Sequence, residues 1–458
     1  MMENKTLEFF KTIASIPRES GNEKEISNFL CEFAKERKLW YEQDKYNNVI
    51  IKKKDGRNNP IILQAHMDMV CEKDSNLEFD FTKDKINIYK ENGYLKAKGT
   101  TLGADNGIGI AQILNILDSD LKINIEAIFT VSEETTMIGA EKIDISKLEG
   151  KQMINLDGFE ENVIITESAS FFDIIIKMKY DSYKIYTEKL YKVTLSGMEG
   201  GHSGYEIDNE KGNSIIELVK LLSQIRDIKI SNFKGGTKFN VIPSKAECEF
   251  YSKENLETLK EIVKTYENSE RKKFAELSIT LCEIKEKKDA ISESESKEFL
   301  KSIESFKHGV LHRTADQKVT TSENLGVVDL RENIIKVGVR SSRKNEEKEI
   351  LEYLQEYSKQ HNFKFQILGS QPGFTTKENS ALIQNLMKSF KKVNEKENIE
   401  LKPVHVTVEA GFFKNKIPEL EVAIISPKII GAHTIKERVE IKSVEKCDKW
   451  LIEFLTNN

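Results

Sequence analysis

The chain has 458 residues, too many for one compact core, and that length predicts about two or three domains. Its 38% hydrophobic and 32% charged residues are the mix of a globular protein with a solvated surface, and no window approaches the ~18 apolar residues of a membrane helix. A net charge of −5 supplies no electrostatic footprint for nucleic acid or an anionic membrane, so neither is expected as a partner.

The polar start lacks the apolar stretch of a secretory signal. Five cysteines, an odd number with no Cys-x-x-Cys pair, argue against a disulfide framework and for a reducing compartment; the cytoplasm is the expected location. The spacing predicts a helix over residues 6–15 and another over 23–38, the second with Ile26, Phe29, Leu30 and Phe33 on one face. Short apolar runs at 48–51 and 60–66 read as strands, the latter buried on both faces. A glycine-rich turn leads into a helix over 107–117, and a strand over 123–131 follows. Strands alternating with helices predict an α/β layer architecture.

From about residue 180 the texture changes to α+β. Residues 192–195 and 245–251 read as strands, and Leu256, Leu259, Ile262, Val263 and Tyr266 form one helical stripe, Ile350, Leu351, Leu354 and Tyr357 another. A third region opens near residue 376 with a helix carrying Leu382, Ile383, Leu386, Met387 and Phe390, then strands at 404–408 and 420–425.

Polar residues with chemical potential recur where apolar runs stop. His66 ends a strand, and Asp68 two positions on points the same way in an extended segment, where it can accept the second imidazole N–H of a metal-bound His. Asp105 lies in the glycine-flanked turn Gly103-Ala104-Asp105-Asn106-Gly107, a place for a ligand or for a helix cap. Glu133 and Glu134 follow the strand ending at Val131, where open α/β sheets build their sites; one could bind metal while the other serves as a general base. Asp157 follows another apolar run, and His433 lies in the small-residue turn Gly431-Ala432-His433. Two imidazoles and three carboxylates suit zinc, with cobalt or manganese as alternatives.

Taken in order, these segments resemble the dinuclear zinc peptidases and amidohydrolases that include aminoacylase, bacterial glutamate carboxypeptidase and carnosinase. Gln64-Ala65-His66-Met67-Asp68-Met69-Val70, residues 100–109, and Gly431-Ala432-His433 with Glu437-Arg438-Val439 look closest to the aminoacyl-histidine dipeptidases. The resemblance implies a mixed-sheet α/β catalytic domain over residues 1–180 and 376–458, interrupted by an α+β lid domain over 181–375. It implies two Zn²⁺ ions, one held by His66, Asp105 and Asp157 and the other by Asp105, Glu134 and His433. Glu133 would be the general base, Asp68 would orient His66, and the peptide after Asp105 would be cis. In the lid, His202 of Gly201-His202-Ser203-Gly204 would stabilise the oxyanion, while Asn240 and Arg340 would hold the substrate's terminal carboxylate. Gly411, in Glu409-Ala410-Gly411, would lie in a loop whose backbone N–H groups meet the C-terminus. Lidded relatives often pair, so a homodimer is a further expectation.

The chain departs from the pattern at Ala410, where relatives usually carry Cys, and in Asp157-Gly158-Phe159-Glu160 and Glu167-Ser168-Ala169-Ser170. None of these removes a ligand; they bear on side-chain preference, including any taste for a C-terminal histidine. The expected activity is therefore metal-dependent hydrolysis of dipeptides, of Xaa-His type or broad. N-acyl amino acid amidohydrolase or tripeptidase action are the alternatives within the family, and a silent metal- or peptide-binding protein is the alternative outside it.

Overall fold

In the computed structural model, which describes residues 4–180 and 183–457, the chain divides into two compact units. The first comprises residues 1–168, 373–404 and 408–458; the second comprises 169–372 and 405–407.

The first unit is built on an eight-stranded mixed sheet in the order Trp40–Gln43, Val49–Lys54, Asn124–Thr130, Ile61–His66, Gln152–Asn155, Glu421–Ile424, Val163–Ser168, Glu400–Val404. The Ile61–His66 strand runs parallel to both neighbours and every residue of it is buried, which is why it reads as a nearly unbroken apolar run, interrupted only by Gln64 before His66. His66 stands beside Thr130, and Gln64 beside Asn155, so three parallel strands end together. The chain leaves these ends carrying Asp68, Glu133, Glu134 and Asp157 to the same edge of the sheet. The helix Ala104–Leu117 is apolar almost all round and correspondingly buried, packing against the Ile61–His66 strand and the N-terminal helix Lys5–Ile13. Its regular turns begin where the sequence predicted, because Asp105 and Asn106 at its start depart from helical torsions; the peptide between them is cis.

The second unit carries an all-antiparallel nine-stranded sheet. Its order is Ser278–Ile284, Lys189–Ser196, Ala246–Ser252, Lys229–Gly236, Val319–Asp329, Ile334–Ser341, Ser170–Lys177, Lys364–Gln371, with Gly309–Arg313 also on Val319–Asp329. Helices Ser214–Leu222, Leu256–Glu270, Glu293–Glu304 and Lys344–Gln360 pack against it, burying Leu259, Val263 and Tyr266 from one predicted stripe and Ile350, Leu354 and Tyr357 from the other.

The sequence predicts a strand over 404–408, but the strand is Glu400–Val404, parallel to Val163–Ser168. Past Val404 the backbone changes partner: Val406 accepts the N–H of Ala169 at 3.0 Å, and residues 405–407 belong to the second unit.

Candidate metal centre

His66 is buried at its strand end with Nε2 3.0 Å from Asp105 Oδ1 and 3.6 Å from Asp157 Oδ1. Its Nδ1 is 3.1 Å from the carbonyl of Asp68 and 3.4 Å from that residue's Oδ1, which favours the ring proton on Nδ1 and leaves Nε2 as a candidate ligand nitrogen. Asp68 does more than the i, i+2 spacing foretold. Its Oδ1 accepts the Glu133 N–H at 3.0 Å, and its Oδ2 accepts the Glu134 N–H at 3.1 Å and the Ser20 hydroxyl at 2.7 Å. Burial opposes ionisation of Asp68, but these donors and His66 outweigh it and hold the carboxyl below its usual range.

Asp105 lies between two imidazoles: Oδ1 faces His66, and Oδ2 is 3.0 Å from His433 Nε2. That same nitrogen is 3.0 Å from Glu134 Oε2. His433 adopts a left-handed φ of +63° just after Gly431 at +71°, a tight turn that presents the ring. The Asp105 turn is braced by two buried residues, Glu437 and Arg18, to which spacing in the sequence assigns no role. Glu437 accepts the N–H groups of Leu102 at 2.7 Å, Gly103 at 2.8 Å and Asp105 at 3.2 Å. Arg18 donates to the carbonyls of Met67 at 2.9 Å and Asp68 at 3.0 Å, and to that of Gly103. Gly103 has φ +68°, and a Cβ there would come 2.4 Å from the Arg18 guanidinium and 2.7 Å from Met69 Sδ, so only glycine fits.

Donor atoms of His66, Glu133 and Asp157 lie within 4.8 Å of one another, as do those of His66, Asp105 and Glu134. Ligands about 2.0–2.2 Å from a tetrahedral zinc ion stand roughly 3.5 Å apart, so the spacing fits. The electrostatics point the same way. Burial pushes Glu133 well above the carboxylate range, raises Asp157, and raises Glu134 to about 7 despite its contact with His433. Hydrogen bonds to Asp105 and Glu134 push His433 up to about 11, and His66 rises although burial opposes it, through Asp157, Asp105 and Asp68. Carboxylates whose ionisation burial disfavours, beside imidazoles whose carboxylate neighbours favour a positive charge, mark a place short of positive charge; Asp105, held between the two imidazoles, shifts the other way, below its usual range. Glu134 Oε1 is buried without a hydrogen-bond partner among the described residues, an oxygen with ligand capacity to spare.

In the second unit the structure brings His202, Asn240 and Arg340 together. The Gly204 N–H donates to His202 Nδ1 at 3.2 Å, and Arg340 Nη2, a nitrogen that can only donate, stands 3.4 Å from His202 Nε2. The carbonyl of Asn240 accepts the Ser203 N–H at 2.9 Å, and Asn324 Nδ2 spans the flanking carbonyls of Phe239 at 2.7 Å and Val241 at 2.9 Å. Gly411, in the first unit, lies in the opening turn of the helix Ala410–Lys416 rather than in an open loop; its N–H donates to Val408 at 3.1 Å. Just before it, Glu409 is wholly buried, accepting from Gln64 at 2.7 Å and Thr130 at 2.6 Å, and burial pushes its carboxyl up to about 8.

The sequence profile of peptidase family M20/M25/M40 matches residues 62–457. The chain is 32% identical over 457 residues to the cytosol non-specific dipeptidase of Escherichia coli (strain K12), spanning 95% of this chain and 94% of that protein. It matches the crystal structure of aminoacylhistidine dipeptidase from Vibrio alginolyticus with a TM-score of 0.85 and 26% identity, over 99% of this chain and 96% of that one. A Bacillus subtilis structure described as a dinuclear metal binding peptidase from the M20 family shares the fold at a TM-score of 0.50 and 12% identity, over 98% of this chain and 96% of that one. Profile and relatives agree: the chain belongs to peptidase family M20/M25/M40 and is a metallopeptidase.

Proposed function

We propose that the chain hydrolyses dipeptides with two zinc ions, one held by His66, Asp105 and Asp157 and the other by Asp105, Glu134 and His433. The observation that carries this reading is Asp105, whose two oxygens face two different imidazoles, as a carboxylate shared by two ions would. The substrate class is that of the Escherichia coli and Vibrio alginolyticus relatives.

When bound, the two ions supply Lewis acidity and acidify the attacking water. Glu133 is half-buried beside His66 and Asp157 with its proton affinity raised, which suits a group that takes a proton and later returns it. It accepts the proton of the water as oxygen attacks the peptide carbonyl, and hands it to the leaving amine as the C–N bond breaks. Asp68 keeps His66 in the right tautomer and, through the Glu133 and Glu134 N–H groups, fixes base and ligand on one turn. His202 is the donor for the oxyanion, in the tautomer in which Nδ1 accepts from the Gly204 N–H and Nε2 carries the proton. Asn240 and Arg340 of the second unit, read as the lid inserted into a catalytic domain, receive the terminal carboxylate, and Gly411 lies at the substrate end of the first unit. A cytoplasmic location goes with this reading: all five cysteines are free, and the Escherichia coli relative is named for the cytosol.

A panel of Xaa-His, other dipeptide, tripeptide and N-acetyl amino acid substrates tests the reading. Metal-dependent turnover led by the dipeptides supports it, and turnover confined to N-acyl amino acids or tripeptides replaces it.

A further inference from the structure

Across the sheet of the second unit, Ser322, Arg340 and Phe171 are register partners on adjacent antiparallel strands, which puts their side chains in one row on one face. The guanidinium of Arg340 lies over the Phe171 ring, 4.3 Å from its centroid. Residues 405–407 cover this row. The Thr407 hydroxyl accepts from Arg340 Nη1 at 3.3 Å and donates to the Ala169 carbonyl at 3.0 Å, and His405 Nε2 is 2.7 Å from Ser322 Oγ.

Two nitrogens in this arrangement have no hydrogen-bond partner among the described residues: Arg340 Nε and His405 Nδ1, both buried. Nor does any carboxylate lie at ion-pair distance from Arg340 among them. Buried donors are normally satisfied, so an Arg and a His left short on one patch mark a place for an acceptor. Burial and the neighbouring guanidinium push His405 down to about 3, so its ring stays neutral, against Asp208, which pulls the other way. A neutral imidazole adds a donor beside Arg340 without adding a second charge to repel it. It does so only as the Nδ1–H tautomer, which requires the Ser322 hydroxyl to donate into Nε2.

We propose that His405, with its tautomer set by Ser322, is a second donor to the substrate's terminal carboxylate beside Arg340 and so a specificity-determining residue for substrates with a free C-terminus. This rests on the dipeptidase reading for its substrate but makes a separate claim about binding.

The test compares a dipeptide with the C-terminal amide of the same dipeptide on the metal-loaded enzyme. One charge-assisted hydrogen bond corresponds to about 10- to 100-fold. His405→Leu should lose that factor in kcat/KM on the free acid, through KM, and much less on the amide, so that the preference for the acid collapses. His405→Asn, which keeps a donor near Nδ1, should recover most of it, and Ser322→Ala should reproduce part of the loss if the leucine variant does not fold. Equal losses on acid and amide, or no loss in either variant, would overturn the proposal. Calorimetric binding of glycylglycine and glycylglycinamide to the Glu133→Gln enzyme separates the two readings. His405-dependent binding of the acid supports this inference even if the wild type cleaves neither substrate, and acid and amide binding alike argues against it.

Discussion

Asp68 accepts the Glu133 backbone N–H at 3.0 Å with the same Oδ1 that stands 3.4 Å from His66 Nδ1, so one carboxylate oxygen ties a candidate ligand to the candidate base. Removing that carboxylate should therefore disturb both. Asp68→Ala is expected to weaken metal binding by roughly 10- to 100-fold, the usual cost of losing the group behind a ligating His, and to lower kcat as well. Competition with a chromophoric chelator measures the first and steady-state kinetics the second. A variant with wild-type affinity and rate would separate Asp68 from the centre.

Glu133→Gln keeps the shape and the backbone contacts to Asp68 while removing the proton acceptor. The variant should bind two metal ions and lose about 10²- to 10⁴-fold in kcat, the span of a general base. Metal analysis and turnover on the same sample check this, and a near-normal rate would take Glu133 out of its role.

Arg18 is fully buried and holds the carbonyls of Met67, Asp68 and Gly103, beside the buried Glu437 carboxylate. Arg18→Met leaves those carbonyls and that charge without it, and should destabilise the chain by roughly 3–5 kcal/mol in denaturant unfolding. Glu437→Gln should cost less, because an amide oxygen can still accept from the Gly103 turn.

Glu323 in the second unit is buried with neither oxygen hydrogen-bonded to a side chain among the described residues, and burial pushes its carboxyl up from 4.5 to about 8. Between those two values the folded chain holds a proton that the unfolded chain has released. Its contribution to stability is thus fully present below about pH 4.5 and is lost as pH rises toward 8. Glu323→Gln, always neutral, should flatten that fall and be the more stable protein above pH 8, by a few kcal/mol as an order of magnitude. Urea midpoints of both proteins from pH 5 to 9 read this directly; parallel curves would contradict it.

The legible part of the centre was the part whose signal is local. His66 and Asp68 share a strand end, Glu133 and Glu134 follow another, and Asp105 sits between glycines, so spacing alone placed them at candidate positions. The braces were not legible, because their meaning lies in distant partners: Glu437 meets Leu102 and Gly103 across 335 and 334 positions, and Glu409 meets Gln64 across 345. A buried acid looks in sequence like a surface one. Residues 404–408 misled for the opposite reason: their alternation is a true β signal, but the pairing of Val406 with Ala169 takes them out of the strand they seemed to continue. The regular helix begins at residue 107, where the glycine-rich turn predicts it, because Asp105 and Asn106 keep non-helical torsions.

The most direct measurement is a metal titration of chelator-stripped protein, with bound ion and dipeptide hydrolysis followed together. Convergence of His66, Asp105, Glu134, Asp157 and His433 on one centre predicts that the stripped chain is inactive and that activity returns in full at two ions per chain. Full-speed hydrolysis by demonstrably metal-free protein, or saturation at a single ion, would contradict it.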